Sequence, residues 1–243
     1  MLVTGGGSGI GRATALQMAR EGAAAVVIAG RRQVEGQGVA DECTALGSLG
    51  VFVETDVRVA QQVARLVEGT VERFGRLDVA FDNAGFQERR ALIDAQPESV
   101  YDSVFDSNVR SVYLCLRHQI AAMIGTGGGA IVVNASVSGI RNPNPGLSLY
   151  SASKAAVISM MRSAAMESAP RGVRINAVAP GRVDTHMMRS AGIADLSVVA
   201  AGLPLRRMGS PEEVAEAVVW LASHEASYIV GHVLAADGGF TAS

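Results

Sequence analysis

Short β-branched runs recur along this chain, each separated from the next by a longer stretch of helical spacing, and that alternation constrains the fold more than any single motif. The runs fall at residues 26–28, 51–53, 79–81, 130–133, 173–178 and 233–235, with helical patterns at 10–20, 34–46, 60–74, 98–124, 149–168 and 211–223. Together with a short opening strand at Met1-Leu-Val-Thr4, this predicts an α/β fold: a Rossmann-type, doubly wound parallel sheet of about seven strands with helices on both faces. Ser210, Pro211 and Glu213 have the spacing of a capping box with proline in the first helical turn, so the last helix has a defined start. Glycines over 125–129 read as a turn between helix and strand.

The segment 184–208 breaks the rhythm. It carries Gly192, Gly202 and Pro204, and reads either as an irregular, mobile flap over a substrate or as two short structural helices. No repeat, linker or low-complexity tract interrupts the rest, so residues 1–243 are expected to form one domain. Net charge is −2 with the arginines scattered, which speaks against nucleic acid or an anionic membrane as partner. The longest apolar stretches are strand-length and the start lacks the pattern of a signal peptide, so a cytoplasmic location and no membrane partner are expected. Cys43 and Cys115 stand far apart without metal-ligand spacing and read as buried fillers, and no metal site is expected.

Thr4 leads directly into Gly5-Gly-Gly-Ser8-Gly9-Ile10-Gly11 and then into a helical pattern. A strand, a glycine turn and a helix N-terminus bring backbone N–H groups and a partial positive charge toward a pyrophosphate. The spacing G-x-x-x-G-x-G departs from G-x-G-x-x-G, and no Gly-Lys-Ser/Thr follows, which argues against a P-loop nucleotidase. At the end of the second strand an acid would receive a ribose 2′-hydroxyl, whereas a basic residue would meet a 2′-phosphate. Here the chain reads Ala29-Gly30-Arg31-Arg32. Arg31 therefore points to NADP as the preferred cofactor, with NAD possible if both arginines are merely solvated surface.

The chain holds one lysine, Lys154, against twenty arginines, and it lies four residues after Tyr150. On a helix that spacing places both side chains on one face. An ammonium there is expected to favour phenolate and to pull the tyrosine down from its usual range, giving a phenol that trades protons with an alcohol or ketone.

With Tyr150-Ser-Ala-Ser-Lys154 downstream of the glycine turn, the chain resembles the short-chain dehydrogenase/reductase family in its single-domain form. The likeness runs nearly end to end. Asp56-Val57 resembles the adenine-contacting pair after the third strand, Asn83-Ala84-Gly85 the turn ending the fourth, and Asn108 the mid-helix asparagine. Asn134-Ala-Ser136-Val-Ser138-Gly139 is similar to the strand end that carries the family's serine. Pro180-Gly181 with Val183 and Thr185 resembles the nicotinamide-lining segment, and Asp237-Gly-Gly239 the C-terminal signature.

The resemblance implies Tyr150 as general acid/base and Ser136 as holder of the substrate oxygen, with Ser138 a competing hydroxyl. It implies Lys154 on the nicotinamide ribose and Asn108 anchoring a water that carries the proton outward. Ser136 lies one residue farther from Tyr150 than is usual, an offset assigned to an extra residue in the turn 142–145. Asp82 stands where asparagine is common, with altered hydrogen bonding near the adenosine as the expected result, and Ser111 where glycine is common. The first strand opens closer to the start than in relatives and is expected to be short. The pocket wall is expected from Val137, Ser138, the turn 141–147, His186, Met187 and Met188, with His186 and Met187 against a small-molecule alcohol or ketone. The sequence alone places no cation firmly enough to demand a carboxylate. A homotetramer is implied, packed through the helices 98–124 and 149–168. Two alternatives remain open: a 3-oxoacyl carrier reductase, for which Arg89, Arg90 and Arg141 would supply a docking patch, and a silent dinucleotide sensor.

Overall fold

The structure, a computed structural model, describes residues 1–141, 145–190 and 195–243. Its centre is a seven-stranded parallel sheet formed by β1 (Leu2–Thr4), β2 (Ala25–Gly30), β3 (Leu49–Glu54), β4 (Val79–Asp82), β5 (Gly129–Asn134), β6 (Val173–Pro180) and β7 (Val233–Ala236). The spatial order is β3-β2-β1-β4-β5-β6-β7, so the winding reverses between β1 and β4. In open α/β sheets ligands bind at the carboxyl ends of the strands flanking such a reversal.

Successive side chains of the inner strands serve opposite faces, and both faces are covered. Val27, Ala29, Ile131 and Val133 join one core with α3 (Ala60–Phe74), α5 (Ser111–Gly125) and α6 (Ser148–Ser168). Val26, Ile28, Phe81 and Val132 join the other with α1 (Gly9–Arg20), α2 (Gln33–Ala45) and α9 (Pro211–Ala222). Burial on two sides explains why these strands read as unbroken apolar runs rather than alternating ones. β1 is indeed short, yet central: it pairs with β2 on one side and β4 on the other.

The expected helix 98–124 is α4 (Glu98–Phe105) and α5 joined by a π turn, Asp106–Arg110, with Asn108 fully buried inside it. The predicted capping box is present: Ser210 Oγ accepts from the Glu213 N–H at 3.2 Å, and Glu213 Oε2 accepts from the Ser210 N–H at 2.8 Å. Cys43 and Cys115 are both buried and free. Among the described residues no helix is long and apolar enough to cross a membrane.

Two expectations change. The described part of 184–208 is not irregular: it contains α7 (His186–Arg189), started by the Thr185 hydroxyl, and α8 (Leu196–Ala201), started by the Asp195 carboxylate. Short polar N-caps satisfy the exposed N–H groups of these turns, which is why a glycine-bearing segment still forms helix. Its two ends are stitched by a parallel bridge, with the Asp184 N–H donating to Gly209 O and the Gly209 N–H to Arg182 O, both at 2.9 Å. Gly192 lies outside the described residues. Asp82, expected to act near the adenosine, instead faces the core beneath α5, where the Gln119 amide donates to its Oδ1 at 2.8 Å. Residues 142–144 of the turn invoked for the Ser136 offset also lie outside the described residues.

Candidate active site

At the carboxyl ends of the strands lies a cleft of about 540 Å³, in the range that holds a small ligand or cofactor. Its floor is set by the glycine turn. A Cβ on Gly11 would come within 2.5 Å of both Gly5 O and Asn83 Nδ2, so only glycine lets α1 close onto the end of β1. The start of α1 then lines the cleft with Gly9 and Ile10, beside Gly5 and Ser8. The Asn83 side chain works beneath this floor, donating to Thr4 O and Gly5 O, both at 3.1 Å, and accepting from the Asn134 amide at 2.9 Å. Three strand ends are thereby locked together, with Asn83, Ala84 and Gly85 on the cleft wall.

One end of the cleft is cationic and polar. Arg31 and Arg32 follow β2, and Asp56, Val57 and Arg58 follow β3. Arg32 donates to Ser8 Oγ at 2.8 Å and to Glu35 Oε1 at 2.9 Å. Arg58 grips Asp56 with contacts of 2.9 and 2.6 Å, a pairing that holds the carboxyl of Asp56 below its usual range. Arg31 makes no such ion pair among the described residues, so its guanidinium stays available at the rim. The sequence reading passed over Arg58, although an arginine two residues beyond an aspartate at a strand end is a visible pairing signal.

At the other end Ser136, Ser138, Tyr150 and Lys154 share the wall with Pro180, Gly181, Val183, Thr185, His186, Met187 and Met188. Ser136 lies near enough to Tyr150 for its hydroxyl to favour the phenolate, opposing the effect of burial. Ser136 Oγ also accepts the Ser138 N–H at 3.1 Å, the start of a tight turn over Val137–Gly139. A Cβ on Gly139 would stand 2.7 Å from the backbone carbon of Lys154, so this turn rests directly on α6. That contact sets the turn that Ser136 starts, just beyond β5, against the helix that carries Tyr150. Of the turn 141–147, the described residues Arg141 and Pro145 to Leu147 do not line the cleft.

Lys154 lies on the same helix face as Tyr150, its Nζ 5.8 Å from the ring centroid. The ammonium donates to Asn134 O at 2.6 Å, and burial brings it down to about 8. The expected depression of Tyr150 by Lys154 is not what the structure gives. Burial, the largest influence, raises the phenol above its usual 10, with Glu88 adding to the rise and Ser136 and Arg182 opposing it. Desolvation penalises phenolate more than the surrounding donors favour it.

Asn108 is held by its own side chain. Its Nδ2 donates to Phe86 O at 2.8 Å and to Ser153 Oγ at 2.9 Å, while Oδ1 accepts the Phe86 N–H at 2.7 Å. Both amide hydrogens are committed, and the residue ties the π turn to the end of β4 and to α6. Glu88, unnoticed in the sequence, accepts the Tyr150 N–H at 3.0 Å and so caps the first turn of α6.

A strand–glycine turn–helix floor, a tyrosine–lysine pair on one helix face and a serine beside that tyrosine on the cleft wall define a dinucleotide-dependent oxidoreductase. The comparisons agree. A family model described as enoyl-(acyl carrier protein) reductase matches residues 5–241. The chain is 41% identical over 243 residues to the A-factor type gamma-butyrolactone 1′-reductase (1S-forming) of Streptomyces virginiae, covering 99% of this chain and 94% of that one. It is 40% identical over 240 residues to the 3-oxoacyl-[acyl-carrier-protein] reductase FabG of Thermotoga maritima, covering 98% and 96%. The crystal structure of levodione reductase superposes with a TM-score of 0.95 at 33% identity, covering 100% of this chain and 97% of that one. The chain belongs to the short-chain dehydrogenase/reductase family. It is an NAD(P)-dependent oxidoreductase that interconverts a secondary alcohol and a ketone.

Proposed function

We propose that Tyr150 is the general acid/base of this enzyme, that Ser136 holds the substrate oxygen, and that the cofactor is NADP. The observation that carries the reading is the gathering of Ser136 and Tyr150 on one cleft wall with Lys154 one helical turn onward. The residues fit a dinucleotide: the turn closed by Gly11 is a cradle that any side chain would fill. Gly5, Ser8, Gly9, Ile10 and Gly11 would receive the pyrophosphate, Asp56 and Val57 the adenine, and Pro180, Gly181, Val183 and Thr185 the nicotinamide. Asn83, Ala84 and Gly85 would wall the site between these ends, and Lys154 would reach a ribose.

When bound, the nicotinamide supplies or accepts the hydride. The hydroxyls of Ser136 and Tyr150 both donate to the substrate oxygen as negative charge develops on it. Because burial keeps the Tyr150 phenol protonated at neutral pH, it is poised to deliver a proton in the reducing direction. Asn108 serves as a positioning residue, holding the π turn against Phe86 and Ser153. Ser138, His186 and Met187 would contact the substrate from the wall, under cover of 184–208. In this reading 1–243 acts as one catalytic domain in the cytoplasm.

Tyr150→Phe keeps the ring and removes the proton. Turnover should fall by roughly 10²–10⁴-fold with cofactor affinity retained, measured by nicotinamide absorbance and by titration. Undiminished turnover would exclude Tyr150 as the acid. Arg31→Asp should turn the cofactor preference toward NAD, since a carboxylate repels a 2′-phosphate and accepts from a 2′-hydroxyl. An unchanged ratio of kcat/KM for the two cofactors would mean that the 2′-phosphate is read elsewhere.

A second reading, reduction of 3-oxoacyl groups on a carrier, is favoured by the likeness to the Thermotoga maritima reductase. A panel of cyclic ketones, sugars, steroids and β-keto thioesters separates the two. The assembly we propose is a homotetramer, supported by a groove beside the start of α5 and α6 that is lined by Phe105, Val109, Tyr113 and Met160 together with Asp106 and Arg110.

A further inference from the structure

Helix α6 starts after Leu147, whose apolar side chain can cap nothing, so the N–H groups of its first turn need acceptors from elsewhere in the chain. The Tyr150 N–H, third in that turn, finds Glu88 Oε1 at 3.0 Å, from 62 residues away. The carbonyl of the same residue accepts from Ser153 Oγ at 2.7 Å, and Ser153 Oγ in turn accepts from Asn108 Nδ2, which also donates to Phe86 O. Both sides of the Tyr150 backbone therefore return to the segment 86–88 beyond β4.

Glu88 is more than an acceptor. It is 3% exposed, and among the described residues its second oxygen, Oε2, is buried without a close hydrogen-bond partner. Its neighbours Arg89 and Arg90 are exposed, Arg90 donates to Pro145 O, and no ion pair to Glu88 forms among the described residues. Burying a carboxylate is costly, and a neutral amide would satisfy one backbone N–H with less desolvation. The charge must serve something besides the cap. It acts on the phenol: burial is the largest influence holding Tyr150 above its usual range, Ser136 beyond β5 opposes it, Glu88 adds to it and Arg182 beyond β6 opposes it. A negative charge beside a phenol disfavours the appearance of a second one. Lys154 of α6 stands 5.8 Å from the ring centroid, and His186 of α7 shares the cleft wall.

We propose that Glu88 is a positioning residue for the reaction, fixing Tyr150 through its backbone and setting, by its negative charge, the pH range in which that phenol hands a proton to a ketone. The proposal rests on Tyr150 being the proton donor assigned above, and it adds the group that tunes the donor.

Glu88→Gln keeps an acceptor for the Tyr150 N–H and removes the charge. With enzyme saturated with reduced cofactor, the alkaline limb of kcat/KM for ketone reduction should move to lower pH by roughly one unit, the lower end for a nearby charge, making the variant about tenfold slower above the limb. Glu88→Ser and Glu88→Asp both leave room for a water at the N–H and differ in charge, so serine should move the limb as glutamine does and aspartate should hold it near the wild-type position. A limb that stays in place in both neutral variants, or moves equally with serine and aspartate, overturns the proposal. Lys154, brought down to about 8 by burial, titrates in the same region. Phenolate absorbance, which an ammonium lacks, therefore assigns the limb: each enzyme minus its Tyr150→Phe form should show a midpoint that falls by the same amount. This optical arm needs no turnover. If the midpoint moves with Glu88→Gln while Tyr150→Phe still reduces ketones, the acid role of Tyr150 fails and the action of Glu88 on the phenol stands. An unmoved midpoint removes Glu88 whatever the rates.

Discussion

Asp82 shows how much one atom can matter. Among the described residues its Oδ2 and the Oε1 of Gln119 are buried without a close hydrogen-bond partner, and burial, opposed by the Gln119 amide and the Cys115 thiol, pushes the carboxyl from the ordinary 3.8 up to about 7. A folded-state value above the unfolded one means that stability is complete below about pH 4 and is lost as pH rises through 7. A difference of about three units corresponds to roughly 4 kcal/mol across that window. Asp82→Asn keeps the shape and the acceptor for Gln119 but cannot ionise. Its Tm should exceed that of the wild type at about pH 9 and the gap should shrink or vanish at about pH 5. A gap independent of pH would assign the effect to packing instead of ionisation. The same desolvation acts on Tyr150 and Lys154, which helix spacing places correctly as neighbours. Spacing alone carries no information on burial, so it could not reveal that withdrawal from water outweighs the ammonium.

At the scale of elements, the tight turn carrying Ser136 sits on α6 through Gly139, with no room for a side chain. Gly139→Ala should push the serine away from the tyrosine, lower kcat at least tenfold as expected for a displacement of about an ångström in a catalytic pair, and leave cofactor affinity near its wild-type value. Loss of cofactor binding in parallel with kcat would mean that the whole cleft has shifted. The seven strands and six long helices were legible in the sequence because two-sided burial writes continuous apolar runs, and because Ser210, Pro211 and Glu213 spell out a helix start. The π turn was not legible. Its signature is the burial of Asn108 among Phe86 and Ser153, which come from distant parts of the chain. The helix cap by Glu88 was missed for the same reason, since it lies 62 residues from the N–H that it accepts. Over 184–208 the sequence left a flap and two short helices both open, because a glycine-bearing segment hides the local capping by Asp195 that decides for helix at α8.

For the molecule as a whole, Tyr101 and Phe105 stack at 4.3 Å beside the α5–α6 groove, and Tyr113 stays about half exposed there. Surplus apolar surface of this kind is what the tetramer proposed above would bury. Tyr113→Glu should reduce the mass seen by light scattering from that of a tetramer to a smaller species, without a large loss of Tm. A wild-type protein that is monomeric at micromolar concentration would remove the groove from the assembly. The stitch between Val183 and Gly209 has another consequence. Because everything between those two positions departs from and returns to a single point, its length can change at a cost that grows only slowly, by about 0.6 kcal/mol for each doubling. Descendants of this enzyme can therefore exchange that stretch like a cartridge while the sheet is inherited intact.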